Sequence, residues 1–276
     1  MSLAPHFGLN HVAVPRLDLP AFFGLAGSLG ITQVEIRNDL PGTAIMNGAS
    51  PASVRDAAAR AGVTIVAINA LQRFDEWGAA RASEATALAE YAAEAGARGL
   101  VLVPVNDGSR AAGEGRHAEL SRSLEALGRI LGDRGVVGLV EPLGFLTSSL
   151  RSKQVAATAI ANVGGPESLR LVHDTFHHAL ADESAIYPAL TGLVHLSGVN
   201  DRGVAPTDLQ DRHRGLVSAQ DRLGSIGQAR MLLAQGYAGP LSFEPFAPEV
   251  QGLEHPAPSI RESMEFIRKR LLEEAA

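Results

Sequence analysis

The sequence contains no cysteine, which removes disulfides, thiolate zinc sites and a cysteine nucleophile together. Any metal held by these side chains must therefore sit on His, Asp or Glu. Long apolar runs are missing as well. No stretch reaches the ~18 uninterrupted apolar residues of a membrane span. The first twenty residues have no basic stretch ahead of an apolar core. Neither a signal peptide nor a membrane partner is expected, and a cytoplasmic protein is the expectation. An excess of positive charge is absent too: 24 Lys and Arg stand against 30 Asp and Glu, a net charge of -6. That argues against nucleic acid as the main partner, because a phosphate backbone calls for a basic stripe. No Pro/Gly/Ser linker is long enough to divide the chain, so residues 1–276 are expected to form one domain. A homo-oligomer is compatible with all of this.

What is present is a large apolar fraction, 46% of 276 residues, laid out in a repeating order. Short β-branched runs occur at 8–14, 32–37, 64–70, 99–105, 136–141, 169–174, 192–197 and 240–244. Most are nearly continuous rather than alternating, as expected of strands covered on both faces. Helical stretches lie between them. Ser50-Pro51 reads as an N-cap with proline at the first helical position, and that helix stops at Gly62. Other helices stop at Gly96, Gly135 and Gly236. Helix, glycine, apolar strand is the grammar of βα units. Eight such strands predict a closed (β/α)8 TIM barrel; an open doubly wound sheet is the alternative the pattern leaves. The longest loops, 38–49, 105–116 and 198–220, then fall on the face where barrel active sites are built.

Four polar residues close consecutive apolar runs: Glu141 in GLVE, Asp174 in RLVHD, His195 in GLVH and Glu244 in LSFE. Neighbouring strand ends converge on the axis of a parallel barrel, so these four could surround one ion. A lone acid at a strand end is commonly a cap, and a lone histidine is commonly a core residue. Three carboxylates gathered at an axis are expensive to bury without a cation. Three carboxylates and an imidazole suit one divalent metal ion such as Mn²⁺, Zn²⁺, Mg²⁺ or Co²⁺.

Glu141-Pro142, the step Asp174-x-x-His177, the strand VHLSG and the ending GYAGPLSFEPF together resemble the xylose-isomerase-like TIM-barrel family of sugar isomerases and epimerases. The resemblance runs over nearly the whole chain. The segments RND, VEPLGF and VHDTFHH look most like members described as 2-keto-myo-inositol (inosose) isomerases, which would place the protein in inositol catabolism. The resemblance implies a metal held by Glu141, Asp174, His195 and Glu244, with His177 touching substrate. It also implies a substrate-holding arginine soon after the seventh strand, for which Arg202 is the nearest match. Two departures stand out. Leu193 occupies a place where many relatives carry a further histidine, and QDRLGSIGQA replaces their Gly-x-Gly turn.

The implied chemistry moves a proton next to a carbonyl through an enediolate, with a Lewis-acidic ion stabilising the charge and Glu141 and Glu244 exchanging protons. The substrate would be a small keto-polyol or keto-sugar. His11, Asn10, Glu35, Arg37, Asn69 and Asn106 could line its pocket, and Phe74 and Trp77 could form an apolar lid. A ketohexose 3-epimerase and an inosose dehydratase fit the same residues. A phosphodiesterase of the endonuclease-IV type would need more metals. Asp211-x-His213 offers a fragment of such a site, but Asn69 and Asn106 stand where histidines would be required.

Overall fold

Leu100, Val140, Leu171 and Val194 are buried on strand faces turned toward helices, as continuous apolar runs demand. The computed structural model describes residues 5–40, 48–110, 114–165 and 167–273. Its strands are β1 (Phe7–Asn10), β2 (Gln33–Arg37), β3 (Thr64–Gln72), β4 (Gly99–Val103), β5 (Val137–Val140), β6 (Leu169–Asp174), β7 (Thr191–Leu196) and β8 (Leu241–Phe243). They pair in sequence order, all parallel, and β8 returns to β1 to close a barrel. This is a (β/α)8 TIM barrel; no open edge remains for the doubly wound alternative.

The helices are α1 (Leu19–Ser28), α2 (Pro51–Ala61), α3 (Ala79–Ala95), α4 (Glu114–Gly132), α5 (Lys153–Asn162), α6 (Thr175–Ala181), α7 (Ser225–Ala234), α8 (Pro248–Gln251) and α9 (Pro256–Glu273). Ser50 caps α2 by accepting from the Ser53 N–H at 3.2 Å, and Gly62 ends it with φ of 68°, where a side chain would be strained. Outside the barrel, helices and strand backs share one core. Inside it, a smaller cluster of Ala67, Ala70, Val101, Leu139, Val172 and Leu193 fills the floor.

One expected element differs. The first strand ends at Asn10 rather than continuing to 14. The Asn10 side chain accepts from the Val12 N–H at 3.1 Å and starts a 3-10 turn over His11–Ala13, which turns the chain away from the axis. The loop after β7 lies on the face expected for it. Gly198 and Gly215 pair as an antiparallel bridge and fold the segment back over the barrel mouth. A Cβ on Gly198 would meet the Val217 Cα at 3.0 Å, a crowding that glycine avoids at this close approach. Of the loop expected at 38–49, residues 41–47 lie outside the described residues.

Candidate metal centre

Side chains two apart on a strand share a face. Leu139, Val172 and Leu193 therefore lie beneath Glu141, Asp174 and His195, and the apolar floor passes into a polar tier at the strand ends. Leu193 belongs to that floor, so no second histidine is delivered there. Glu244 follows β8, where Ser242 pairs with His195 in register, and His195 pairs with Asp174. One ligand atom from each of Glu141, Asp174, His195 and Glu244 lies within 4.8 Å of all the others, and all four residues are buried.

The donor set fits a cation. His195 Nδ1 lies 2.6 Å from Glu141 Oε1, 3.1 Å from Glu244 Oε2 and 3.9 Å from Asp174 Oδ2. Ligands about 2.1 Å from a common ion are separated by roughly 3–4.2 Å, which the Glu244 and Asp174 spacings meet, while the Glu141 oxygen, at hydrogen-bond distance from the imidazole, would draw back by a few tenths of an ångström to share an ion. The other ring nitrogen, Nε2, lies 3.0 Å from Glu35 Oε2. Glu35 is fixed in turn by Asn69 Nδ2 at 2.6 Å and the Ser242 hydroxyl at 2.5 Å, both donating to it. With the Nε2 proton given to Glu35, Nδ1 presents a bare lone pair to three carboxylate oxygens. Such a gathering is repulsive until a positive ion enters it, and a carboxylate behind a ligating imidazole is the usual orienting partner.

In the metal-free charge balance the imidazole carries the burden. Burial opposes its protonation, but Glu244, Glu35 and Glu141 outweigh burial and hold His195 well above the usual histidine range. Burial raises Glu141, whereas His195, Arg214 and Arg37 overcome burial and keep Glu244 below the usual carboxylate range. Glu35→Gln should weaken divalent-metal binding about 10–100-fold, the usual effect of losing an orienting partner. Chelator competition with Mn²⁺ measures this, and wild-type affinity would remove Glu35 from that role.

A family model described as a xylose isomerase-like TIM barrel matches residues 23–270. The chain belongs to this family. A xylose isomerase domain-containing protein from Salmonella typhimurium LT2 is 32% identical, with a TM-score of 0.88 and coverage of 99% of this chain and 98% of that one. The IolI protein, solved with a bound zinc atom, shares the fold at 19% identity, TM-score 0.83 and 98% coverage of both chains. D-psicose 3-epimerase from Clostridium cellulolyticum H10, solved with D-tagatose, does so at 16% identity, TM-score 0.73 and coverage of 96% and 99%. Comparison with functionally curated proteins gives no significant match. The likenesses to IolI and to the epimerase are likenesses of fold. No helix among the described residues is long and apolar enough to cross a membrane.

Arg202 is not brought to the cavity. That residue is exposed and lies outside the cavity at the barrel mouth. The folded-back loop instead delivers Arg214, which is fully buried. Its Nη2 donates to Asp174 Oδ2 at 2.5 Å and Glu244 Oε2 at 2.6 Å, and its Nη1 donates to Asp211 at 3.0 Å. The guanidinium stands 4.7 Å from the Phe246 ring centre and 5.3 Å from that of Phe176. It thus places a positive charge between two ligand oxygens.

His11 does not line the cavity either. The turn at Asn10 stacks its ring on Phe22, with centroids 4.4 Å apart, and directs Nε2 to the Leu17 carbonyl at 2.8 Å. Asn10 donates to Glu244 Oε1 at 3.1 Å. Glu35 and Arg37 do not form the ion pair their spacing allows: Glu35 serves His195, and Arg37 takes both oxygens of Asp39 and also Glu244. Asn69, Asn106 and His177 line the cavity. The His177 ring meets Phe145 edge-on at 5.0 Å, and its Nδ1 is buried without a partner. Burial lowers the pKa of His177 to about 3, which keeps the ring neutral. Phe74 is a core residue and Trp77 packs against the core, so neither forms a lid. His213 accepts from the Gln210 N–H through Nδ1 and does not line the cavity. Among the described residues the four-ligand group is the only cluster able to hold a metal, which leaves the multi-metal reading without its extra ligands.

Proposed function

We propose that this protein is a divalent-metal-dependent isomerase of a keto-polyol or keto-sugar, with 2-keto-myo-inositol as the first substrate to test. The observation that carries the reading is the division of labour among the four ligands. Asp174 and His195 lie beneath the cavity floor, while Glu141 and Glu244 also line the cavity of about 360 Å³ above it. Two carboxylates thus reach both the ion and the substrate. A bound ion would supply Lewis-acid stabilisation of negative charge developing at the substrate carbonyl.

The residues do the rest. Glu141 comes from the end of β5 and Glu244 from the end of β8, on either side of the strands bearing Asp174 and His195. A keto-polyol held between them exposes the hydrogen next to its carbonyl to one carboxylate and the opposite face to the other. One removes the proton and the other returns it. His177, neutral, offers a ring nitrogen to a substrate oxygen, and Asn69 offers its side-chain carbonyl while its amide stays on Glu35. Phe145, which packs edge-on against His177, together with Leu143 and Phe246 adds apolar surface to the cavity and limits water at the reacting carbon.

The test is incubation of the Mn²⁺-loaded protein in D₂O with 2-keto-myo-inositol and a panel of ketohexoses, followed by NMR. Deuterium should enter the carbon next to the carbonyl only when the divalent ion is present. Turnover of a ketohexose alone would move the protein to 3-epimerase activity, and loss of water from the substrate would make it a dehydratase. Exchange that is equally fast after chelation would end the metal-dependent reading.

A further inference from the structure

The cations at the barrel mouth are all engaged. Three arginines line the cavity: Arg37, Arg73 and Arg214. Arg37 forms a two-pronged pair with Asp39, at 2.7 and 2.8 Å, and reaches Glu244 with its remaining nitrogen. Arg214 is held by Asp174, Glu244 and Asp211. Arg73, at the outer rim, gives Nε to Glu76 and Nη1 to Asp107, both at 2.6 Å.

Carboxylates outnumber these cations. Asp39, Asp107, Asp211, Glu141 and Glu244 line the same cavity, with Asp174 and Glu35 just below. A divalent ion at the centre would still leave negative charge in excess. Residues 41–47 and 111–113, which lie outside the described residues, read PGTAIMN and AAG. They add no lysine, arginine or histidine, wherever they lie.

Phosphate and carboxylate recognition needs a guanidinium, an ammonium or an array of N–H groups free to turn toward the anion. Moving an anion into a cavity already rich in carboxylates adds repulsion instead. The polar wall does suit hydroxyls: Asn69, Gln72 and Asn106 offer amide groups, and Asp39 and Asp107 offer acceptor oxygens.

We infer that this site selects an uncharged, polyhydroxylated ketone and rejects its phosphorylated and carboxylated counterparts, the Arg73–Glu76–Asp107 pairing at the rim acting as the selectivity element. The inference rests on the isomerase reading for the identity of the cavity, but it is tested through binding.

Affinities of the Mn²⁺-loaded protein for D-fructose, D-fructose 1-phosphate and D-fructose 6-phosphate are measured by ligand-observed NMR titration, with no need for turnover. The neutral sugar should bind at least tenfold more tightly than either phosphate. In the double variant Glu76→Gln/Asp107→Asn, which frees Arg73, the ratio of phosphate to neutral affinity should rise about tenfold. A phosphate that binds the wild type as well as D-fructose does, no detectable binding of the neutral sugar, or an unchanged ratio in the double variant would each overturn the inference. Selective binding without deuterium exchange would instead count against the isomerase reading and leave the selectivity standing.

Discussion

Glu244→Gln and Glu141→Gln should each reduce deuterium exchange into the keto substrate by about 10²–10⁴-fold, the usual contribution of a positioned acid or base. Glutamine keeps a carbonyl oxygen for the ion and nearly the same volume, so the substitution separates proton transfer from packing. Both residues are also candidate ligands, and metal content must be measured alongside. A variant that retains one Mn²⁺ per chain and has lost exchange assigns its carboxylate to proton transfer. A variant that retains the ion and exchanges at near the wild-type rate takes that residue out of the chemistry. The two losses should differ in what else they disturb. Glu244 also receives Asn10, Arg37 and Arg214, whereas Glu141 has only His195. Glu244→Gln should therefore shift the melting temperature more than Glu141→Gln does.

Arg214→Met should cost the metal-free protein about 3–5 kcal/mol, the range for removing one partner of a buried ion pair. Its side chain is 2% exposed, and one nitrogen, Nη2, bridges Asp174 and Glu244. Methionine fills similar volume and leaves the carboxylates facing one another. For a chain of this size such a loss corresponds to a drop of roughly 6–20 °C in Tm. Added Mn²⁺ should restore more stability to this variant than to the wild type, since the ion supplies the missing positive charge. An unchanged Tm in metal-free buffer would show that the guanidinium carries no such burden. Arg214→Lys, which keeps the charge but not the planar fork, should fall between the two.

The barrel was readable in the sequence because most strands are nearly continuous apolar runs and helices such as α2 and α3 end at a glycine. Those are local signals, and the observed strands fall within a few residues of the runs that announced them. The four ligand candidates were readable for a related reason. A strand end is a fixed place in a parallel barrel, and a polar residue closing an apolar run marks it.

Arg214 was not readable. It stands nineteen positions beyond His195, in a loop without periodicity, and only the Gly198–Gly215 bridge returns it to the axis. Arg202 is nearer in sequence and farther in space. His11 failed for the opposite reason: the strand pattern continued past Asn10, but the Asn10 side chain turned the backbone first. Glu35 and Arg37, two apart on β2, share a face, yet alternation cannot say which partners they meet. Glu35 turned toward His195 because Asn69 and Ser242 hold it there.

Asp174 serves two masters. Its Oδ1 accepts from the His177 N–H at 2.9 Å and so begins α6, while its Oδ2 belongs to the ligand group. Any tug on one oxygen is felt by the other through a single rigid carboxylate. Filling the centre should therefore tighten the first turn of that short helix, and amide protons near His177 should exchange with solvent more slowly in the loaded protein. The histidine poised to meet the substrate would then be steadied by the same event that arms the chemistry.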